Sequence, residues 1–419
     1  MRKINLLYVI TKLELGGAQK QLLSLVRRLD KEKFNIFLFT AEDGLLIKDA
    51  LSINGLTIIR SRCLERKINP LKDLLALIEI YRFIKRNNID IVHTHSSKAG
   101  ILGRCAARFA RVDFIIHTVH GWSFNDYQPN FIHYIFVWLE RLAAQFTHKL
   151  IVVSYYDKQK GLINRIGRED KYIVIRYGID CTEFFKRDQK IKGELGIDNT
   201  DLVVTMISCL KPQKSPQDFI KLAFLVNRIQ PDINPVRNTT QIENNTIVSN
   251  GVKFLLVGDG VLRKKIEKLI SKFNLQSEVI LTGWRRDVYR ILSATDVFVL
   301  TSLWEGLPIV ALEAAASSIP AVATHTGGIA EVIIDGKTGF LIPSRNPKLM
   351  SERLALLLKD ENLRRQMGEN AKNNLGLKFM LTNTVKDTQN LYDSLFEAKI
   401  KRKETGYGDF RFEVSNRKY

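Results

Sequence analysis

The stretch SLWEGLPIVALEA, residues 302–314, decides which fold the sequence predicts. It follows the β-branched run DVFVLTS (296–302) and continues as a helix-forming run, with Pro308 in the first turn, where proline is tolerated. A strand that leads through a short turn into a helix is the building unit of a parallel α/β sheet. The same apolar run contains Glu305 and Glu313, and a buried carboxylate is costly unless a partner offsets its charge. The stretch therefore predicts a polar site as well as a fold class.

The two carboxylates of this stretch are spaced so that they can share a site. Glu305 falls in the predicted turn, and Glu313 falls about two helical turns later, a rise of about 12 Å. Both can face one cleft at the carboxyl end of the sheet, where open α/β folds bind ligands. The N–H groups of Gly306 and Leu307 at the helix start would bind an anion. The alternative is that Glu305 only caps the helix and that Glu313 is salt-bridged.

The strand–helix alternation extends over the rest of the chain in two blocks. We expect strands at 4–10, 34–40, 89–95, 113–119, 149–154 and 172–178 in the first block, and at 201–208, 253–258, 279–284, 296–302, 321–325 and 339–343 in the second. Runs that are apolar on both faces and alternate with helices are typical of parallel, doubly wound sheets. The sequence therefore predicts two Rossmann-like α/β domains.

A chain of 419 residues is too long for one hydrophobic core. We expect an N-terminal domain over 1–185 and a C-terminal domain over 186–380. Residues 381–419 are predicted to form a helix that returns to the N-terminal domain, followed by a mobile tail. The segment 231–250 is rich in Asn, Thr and Pro, and it is predicted to be a disordered insertion because a crossover rarely needs so long a link.

Composition limits the function classes. The chain is 45% hydrophobic and 26% charged, as in globular proteins, and its net charge of +20 suits an anionic partner. Nucleic acid is not favoured, because no zinc-finger spacing, RNP-like motif or basic heptad helix occurs. The four cysteines are far apart and fit a reducing cytosol. No window of about 18 uncharged apolar residues predicts a spanning helix, so we expect a cytoplasmic protein, with peripheral contact at the inner face of the cell membrane.

The motifs of both halves, taken in order, resemble one family. The donor-side motifs are FLLVGDGVLRKKIEKL (254–269), VILTGWRRDV (279–288), SLWEGLPIVALEA (302–314), PAVATHTGGIAEVI (320–333) and DGKTGFLIP (335–343). The N-terminal half contributes LELGGAQ, HTHSSKAG, HTVHGWSF, IVVS and RYGID. This set resembles the family 4 glycosyltransferases. The resemblance implies a GT-B fold, with two Rossmann-like domains facing across a cleft.

The resemblance also implies an activity. It implies a retaining glycosyltransferase that moves a sugar from a nucleotide diphosphate sugar to a glycan or polyprenyl-diphosphate-linked glycan, in cell-surface polysaccharide synthesis. The basic N-terminal half and the aromatic segment 122–138 suit such an anionic, membrane-bound acceptor. The alternatives are a GT-B-shaped epimerase acting on a nucleotide sugar and a non-catalytic nucleotide-sugar or NAD-binding protein.

The resemblance assigns roles to matching positions. Glu305 would hold hydroxyls of the transferred sugar, Lys214 would neutralise the leaving diphosphate, and His120 would reach the sugar near the reacting carbon. The expected donor-binding residues are Glu313, Gly306, Leu307, Gly16, Gly17, Lys211, Arg285, Gly327 and Gly328. The chain departs from the family pattern at Cys209, where the family has an arginine, and Lys211 is close enough to substitute for it.

No metal or other cofactor is expected beside the nucleotide sugar. The D-x-D carboxylate pair that holds a divalent ion in metal-dependent transferases is absent from the sequence. Charge on the leaving group would then be met by Lys214 and by helix N-termini. His93 and His95 form an H-x-H pair, for which a metal site is the rival interpretation to simple hydrogen bonding.

Overall fold

The computed structural model describes residues 2–185, 188, 190–233 and 251–405. The chain divides into two compact units, the first formed by Met1–Arg176 with Leu381–Tyr419 and the second by Tyr177–Met380. Most of the expected insertion, residues 234–250, lies outside the described residues, and so does the end of the expected tail, residues 406–419. None of the helices in the described ranges combines the length and the hydropathy that a membrane crossing needs.

The first unit is built on a seven-stranded parallel sheet with the order β3-β2-β1-β4-β5-β6-β7. Its strands are β1 (Ile4–Val9), β2 (Phe34–Ala41), β3 (Leu56–Ser61), β4 (Ile91–His95), β5 (Phe114–Val119), β6 (Lys149–Val152) and β7 (Tyr172–Val174). Strand β3 was not expected, because it is an edge strand of partly exposed residues without a long apolar run. Strand β7 is shorter than the predicted run 172–178.

Helices cover both faces of this sheet. They are α1 (Gly17–Arg28), α2 (Ile47–Leu51), α3 (Pro70–Arg86), α4 (Ser97–Phe109), α5 (Asn130–Phe146) and α6 (Tyr155–Ile163). Alternate residues of β1 enter different cores, since Leu6 and Tyr8 pack with α1, whereas Leu7 and Val9 pack with α3 and α4. The start of α3 shows why the sequence is helical there: Asn69 accepts a hydrogen bond from Lys72 N, and Pro70 is the first helical residue.

The second unit repeats this plan with six parallel strands in the order β10-β9-β8-β11-β12-β13. Its strands are β8 (Leu202–Ile207), β9 (Val252–Val257), β10 (Val279–Gly283), β11 (Val297–Leu300), β12 (Ala321–Thr324) and β13 (Gly339–Ile342). Its helices are α7 (Ile191–Glu194), α8 (Pro216–Ile233), α9 (Arg263–Lys272), α10 (Val288–Ser293), α11 (Ile309–Ala316), α12 (Pro347–Lys359) and α13 (Glu361–Leu375).

The last described helix, α14 (Leu381–Thr405), belongs to the first unit. Its residues Leu391, Tyr392 and Leu395 are buried in the core that α1 shares with β1. The hydroxyl of Tyr392 lies 2.8 Å from that of Tyr8, so the end of the chain completes a core begun by the first strand.

The direction of winding reverses once in each sheet. In the first sheet the reversal lies between β1 and β4, and in the second it lies between β8 and β11. At such a switch point the loops that follow the two strands lead to opposite faces of the sheet. The crevice between these loops leaves room for a ligand at the carboxyl edge. The loops after these four strands are therefore the first places to look for a site.

Candidate active site

The loop between β11 and α11 is held against the loop that follows β8. Leu303 N donates to Gln213 O at 2.7 Å, and Gln213 Nε2 donates back to Trp304 O at 2.8 Å. The hydroxyl of Thr301 donates to Lys214 O at 2.9 Å. These bonds cross the switch point of the second sheet, so the two predicted site segments are fixed side by side.

Glu305 and Lys214 form an ion pair at this junction. The side chain of Glu305 is 7% exposed and that of Lys214 is 16% exposed. Oε1 of Glu305 accepts hydrogen bonds from Lys214 Nζ and from Ser302 Oγ, the latter at 2.6 Å. The ammonium of Lys214 therefore offsets the cost of burying this carboxylate. A lysine has three donor hydrogens, so one bond to Glu305 leaves donors for a second anion.

A third loop, after β12, closes on the Glu305 turn from the other side. Gly328 N donates to Gly306 O at 2.8 Å, and Thr326 Oγ1 donates to Leu303 O at 3.0 Å. Gly327 has φ of +57°, and a Cβ placed on it would lie 1.9 Å from Glu305 O. Only glycine allows this approach, so Gly327 sets the position of the Glu305 backbone.

Helix α11 begins later than expected. Its first residue is Ile309, and Pro308 is the N-cap residue, with φ of −77° and ψ of 110°. Gly306 and Leu307 therefore lie in the loop before the helix and not at its start. The physical reason is that the residue before a proline is disfavoured in the helical region. Glu313 is in the helix and is 8% exposed, as buried as Glu305.

The remaining donor-side residues lie in neighbouring loops. Cys209 and Lys211 follow β8, and Lys211 N donates to Cys209 O at 2.8 Å. Arg285 follows β10, where its guanidinium is paired with Asp287 through bonds of 2.8 and 2.5 Å. Lys214, Glu305 and Gly327 are thus joined through direct contacts, whereas Arg285 is already engaged by a neighbour in sequence.

In the first unit, the loops after β1 and β4 meet at the carboxyl edge. The hydroxyls of Thr11 and Ser96 lie 2.8 Å apart, and Thr11 Oγ1 accepts a hydrogen bond from Ala99 N. Gly16 is the N-cap of α1 and has φ of −132°, which any residue can adopt. Gly17 is the first residue of that helix and is exposed. Backbone geometry alone does not require glycine at position 16, but a Cβ placed there would lie 2.6 Å from Gln19 Oε1.

Four histidines come together beside these loops. His95 Nδ1 lies 2.8 Å from His120 Nε2, and His117 Nδ1 lies 2.9 Å from Thr94 Oγ1. His93 lies 2.5 Å from the Tyr392 hydroxyl through Nδ1 and 2.7 Å from Thr118 Oγ1 through Nε2. The sequence marked these histidines, but it contained no signal for Tyr392, which is almost 300 residues away from His93.

Burial keeps these histidines neutral. It lowers the pKa of His93 and of His120 to about 3, and it lowers the pKa of His95 and of His117 well below the usual value. The cluster therefore offers hydrogen bonds at neutral pH, without positive charge. Within the described ranges, no group of three or more His, Cys, Asp or Glu side chains is placed to hold a metal ion.

Comparisons with known proteins agree with this architecture. Residues 15–183 match the family described as Glycosyltransferase Family 4, and residues 187–374 match the family described as Glycosyl transferases group 1. A UDP-Gal:alpha-D-GlcNAc-diphosphoundecaprenol alpha-1,3-galactosyltransferase of Escherichia coli is 33% identical over 395 residues, which cover 93% of this chain and 97% of that protein. An N,N'-diacetylbacillosaminyl-diphospho-undecaprenol alpha-1,3-N-acetylgalactosaminyltransferase of Campylobacter jejuni is 25% identical over 359 residues, which cover 83% of this chain and 88% of that protein.

Solved structures show the same fold. Anabaena HepE in complex with UDP and glucose has a TM-score of 0.75 and 20% identity, over 93% of this chain and 100% of that one. Sucrose-phosphate synthase from Thermosynechococcus elongatus has a TM-score of 0.77 and 19% identity, over 95% of this chain and 100% of that one. The expectation of a GT-B fold built from two parallel-sheet domains is confirmed.

Proposed function

The chain belongs to the family 4 glycosyltransferases, and from this premise we propose that it moves a sugar, with retention, from a UDP-sugar to a polyprenyl-diphosphate-linked glycan. The observation that carries the donor half of the proposal is the Lys214–Glu305 pair at the switch point of the second sheet. A cation that still has donors beside a buried carboxylate suits a ligand with both phosphate and sugar hydroxyls.

The donor is held by groups of the second unit. Lys214 takes the diphosphate oxygens, with Lys211 beside it in the same loop, and Glu305 takes hydroxyls of the transferred sugar. Glu313 takes the ribose hydroxyls, and Arg285 borders the nucleobase. The amides of Gly306, Leu307 and Gly327 lie around the Glu305 turn, where they complete the binding of the phosphates. Gly328, whose amide is bonded to Gly306 O, holds that turn in place.

Charge on the leaving group is met without a metal ion in this proposal. As the bond to the diphosphate lengthens, Lys214 stabilises the negative charge that develops on it. The acceptor hydroxyl attacks the reacting carbon on the face from which the leaving phosphate departs. That phosphate itself takes the proton of the hydroxyl. In the first unit, neutral His120 contributes hydrogen bonding to the transferred sugar, and Gly16 and Gly17 let backbone amides approach the phosphates.

The acceptor class is supported by the named relatives. The Escherichia coli and Campylobacter jejuni proteins both act on sugars linked to undecaprenol through a diphosphate, according to their names. Such an acceptor lies in a membrane. We therefore place the protein at the cytoplasmic face of an anionic membrane, in cell-surface polysaccharide synthesis.

An exposed apolar stripe on α5 supports the membrane contact. Phe131, Tyr134, Ile135 and Trp138 are 66, 70, 51 and 57% exposed, at the i, i+3, i+4 and i+7 positions of one helix face. Aromatic side chains on one face of an exposed helix suit the interface between lipid headgroups and acyl chains. The net charge of +20 adds attraction to anionic lipid.

The proposal is tested by incubating the pure protein with labelled UDP-galactose, UDP-glucose, UDP-GlcNAc and GDP-mannose. Synthetic polyprenyl-diphosphate GlcNAc and free GlcNAc serve as acceptors, each with and without EDTA. We expect transfer from one UDP-sugar to the lipid-linked acceptor, unaffected by EDTA, and an α-linkage in the product by NMR. Release of free sugar without an acceptor, or strict dependence on a divalent ion, would contradict the proposal.

A further inference from the structure

The first unit contains a basic cavity at the amino edge of its sheet, opposite the edge that carries His120. The cavity has a volume of about 820 Å³ and is lined by the first residues of β5 and β6 and by the ends of α4 and α5. The lining includes six lysine and arginine side chains: Arg108, Arg111, Lys149, Arg168, Lys171 and Lys399. Among the described residues, two acids, Asp113 and Asp170, line it with them, which leaves four positive charges in excess.

Four of these cations are held in place by the protein. Lys149 Nζ donates to Asp170 O at 2.8 Å, and Lys171 Nζ donates to Ala144 O at 2.7 Å. Arg168 is paired with the Asp170 carboxylate, as is Lys399 with that of Asp113. Burial lowers the pKa of Lys149 and of Lys171, so keeping both charged in the cavity has a cost that a bound anion would offset.

The other two cations, Arg108 and Arg111, are exposed. In the described part of the chain neither forms an ion pair with an acidic side chain. Arginine is well suited to bind phosphate, because its planar fork donates two parallel hydrogen bonds to two oxygens. A cavity of this size, with fixed lysines and two uncommitted arginines, suits a phosphate-bearing ligand.

Apolar residues beside the cavity indicate what that phosphate is attached to. Phe146 lines the cavity, and Phe109, the last residue of α4, is 66% exposed. Leu142, which is 37% exposed, continues the stripe of α5 one turn before Phe146. The cavity thus lies at the carboxyl end of the helix whose outer face suits a membrane interface. A soluble phosphate would not bury this apolar surface.

We propose that this cavity binds the phosphate of an anionic phospholipid headgroup while the α5 stripe lies in the membrane interface. The ligand is a structural lipid and not the acceptor, because the cavity is at the edge of the sheet that does not carry the site residues. The proposal relies on the proposed function only for bringing the protein to a membrane, and its test measures no sugar transfer.

The test uses the full chain with vesicles of pure phosphatidylcholine and vesicles with one quarter phosphatidylglycerol. The variant R108Q/R111Q removes the two uncommitted arginines. The control R27Q/R28Q removes the same charge from exposed positions at the end of α1, which covers the other face of the sheet. We expect the cavity variant to lose about tenfold or more in affinity for the phosphatidylglycerol vesicles. The control should lose less than about threefold, and R108K/R111K should retain most of the binding.

Three results would overturn the inference. Equal losses of vesicle affinity in R108Q/R111Q and R27Q/R28Q would show that the effect depends only on overall charge. Unchanged vesicle binding in R108Q/R111Q would exclude the cavity as the lipid-binding site. Competition by millimolar glycerol 3-phosphate that abolishes vesicle binding would assign the cavity to a soluble phosphate instead. The shift in melting temperature caused by UDP, measured in parallel, should be unchanged in both variants, so a failure here is distinct from a failure of the donor site.

Discussion

His95 Nδ1 lies 2.8 Å from His120 Nε2, and the two rings are stacked with centroids 5.0 Å apart. The other nitrogen of His95, Nε2, is buried and has no hydrogen-bond partner among the described residues. A buried donor without a partner is rarer than a buried acceptor without one. We therefore place the proton of His95 on Nδ1, from which it is donated to His120, and the proton of neutral His120 on its own Nδ1.

This relationship predicts that His95 positions His120. In H95A the His120 ring loses its hydrogen bond to His95, and we expect kcat to fall by about 100-fold while KM for the donor changes little. H95N keeps an N–H group near the position of Nδ1 and should restore most of the rate. Steady-state kinetics of both variants make the test, and equal rates in H95A and H95N would contradict a positioning role.

The Lys214–Glu305 pair predicts that stability and activity respond differently to mutation. K214M leaves a nearly buried carboxylate unpaired, and E305Q leaves its lysine unpaired, so each should cost about 3–5 kcal/mol of unfolding free energy. The double variant K214M/E305Q should regain most of that stability. All three should lose transfer by about 1000-fold, because each lacks at least one of the two groups proposed to contact the donor.

Chemical denaturation and transfer assays on the same preparations measure both effects. Activity recovered along with stability in the double variant would show that the pair is only structural.

Gly327 and Gly336 form a matched pair for testing the Glu305 turn. Their φ angles are +57° and +70°, so alanine costs about 1 kcal/mol of backbone strain at either position. A Cβ on Gly327 would lie 1.9 Å from Glu305 O, whereas a Cβ on Gly336 would meet nothing within 4 Å in the part of the chain that the structure describes. We expect G327A to lose most of its UDP-sugar affinity by calorimetry, and G336A to keep it. Equal affinities of G327A and G336A would mean that the close approach of Gly327 does not set the position of Glu305.

The buried histidines predict how acid affects the first unit. The pKa of His93 is about 3 in the folded protein, against an ordinary value of 6.5, so the unfolded chain binds more protons between these limits. Stability is therefore fully present above pH 6.5 and falls as the pH drops through that window, by about 2 kcal/mol for His93 at pH 5.

Hydrogen exchange of the β4 and β5 amides at pH 8 and pH 5 reports this loss. The variant H93Q should show a smaller pH dependence than the wild type, and the exposed-site control H325Q should match the wild type. An H93Q variant that keeps the full pH dependence would contradict the assignment.

The α5 stripe predicts vesicle binding through apolar contact. We expect F131S/W138S to lose about tenfold or more in flotation with anionic vesicles at high salt, where charge attraction is screened. L71S/L74S is the matched control, since Leu71 and Leu74 are 69 and 55% exposed on α3. Equal losses in both variants would show that flotation reflects hydrophobicity in general.

Much of the fold was predictable because its strands are buried on both faces. The run that became β11 ends at the turn that holds Glu305, as the β-branched residues and the following proline indicated. Strand β3 was missed because an edge strand with exposed Thr57 and Arg60 has little apolar signal. The late start of α11 depends on the conformation before Pro308, which a helical pattern does not reveal.

The individual residues of the candidate site were predictable from the sequence, but the contacts between them were not. The sequence placed Lys214 and Glu305 in one site but gave them separate roles, because a pairing across 91 positions depends on how β8 and β11 are ordered in the sheet. The hydrogen bond between Tyr392 and His93 arises in the same way, since only the return of α14 brings them together.

The return of α14 also determines the order in which the chain can mature on the ribosome. Residues 177–380 precede Tyr392 in the chain, so they can close their own core before α14 packs on the first unit. Until then, the first 176 residues have all seven strands and α1, but the core around Leu6, Tyr8 and Ile10 still lacks Leu391, Tyr392 and Leu395. The nascent protein therefore passes through a stage in which its earliest-made half is the one that still needs a chaperone.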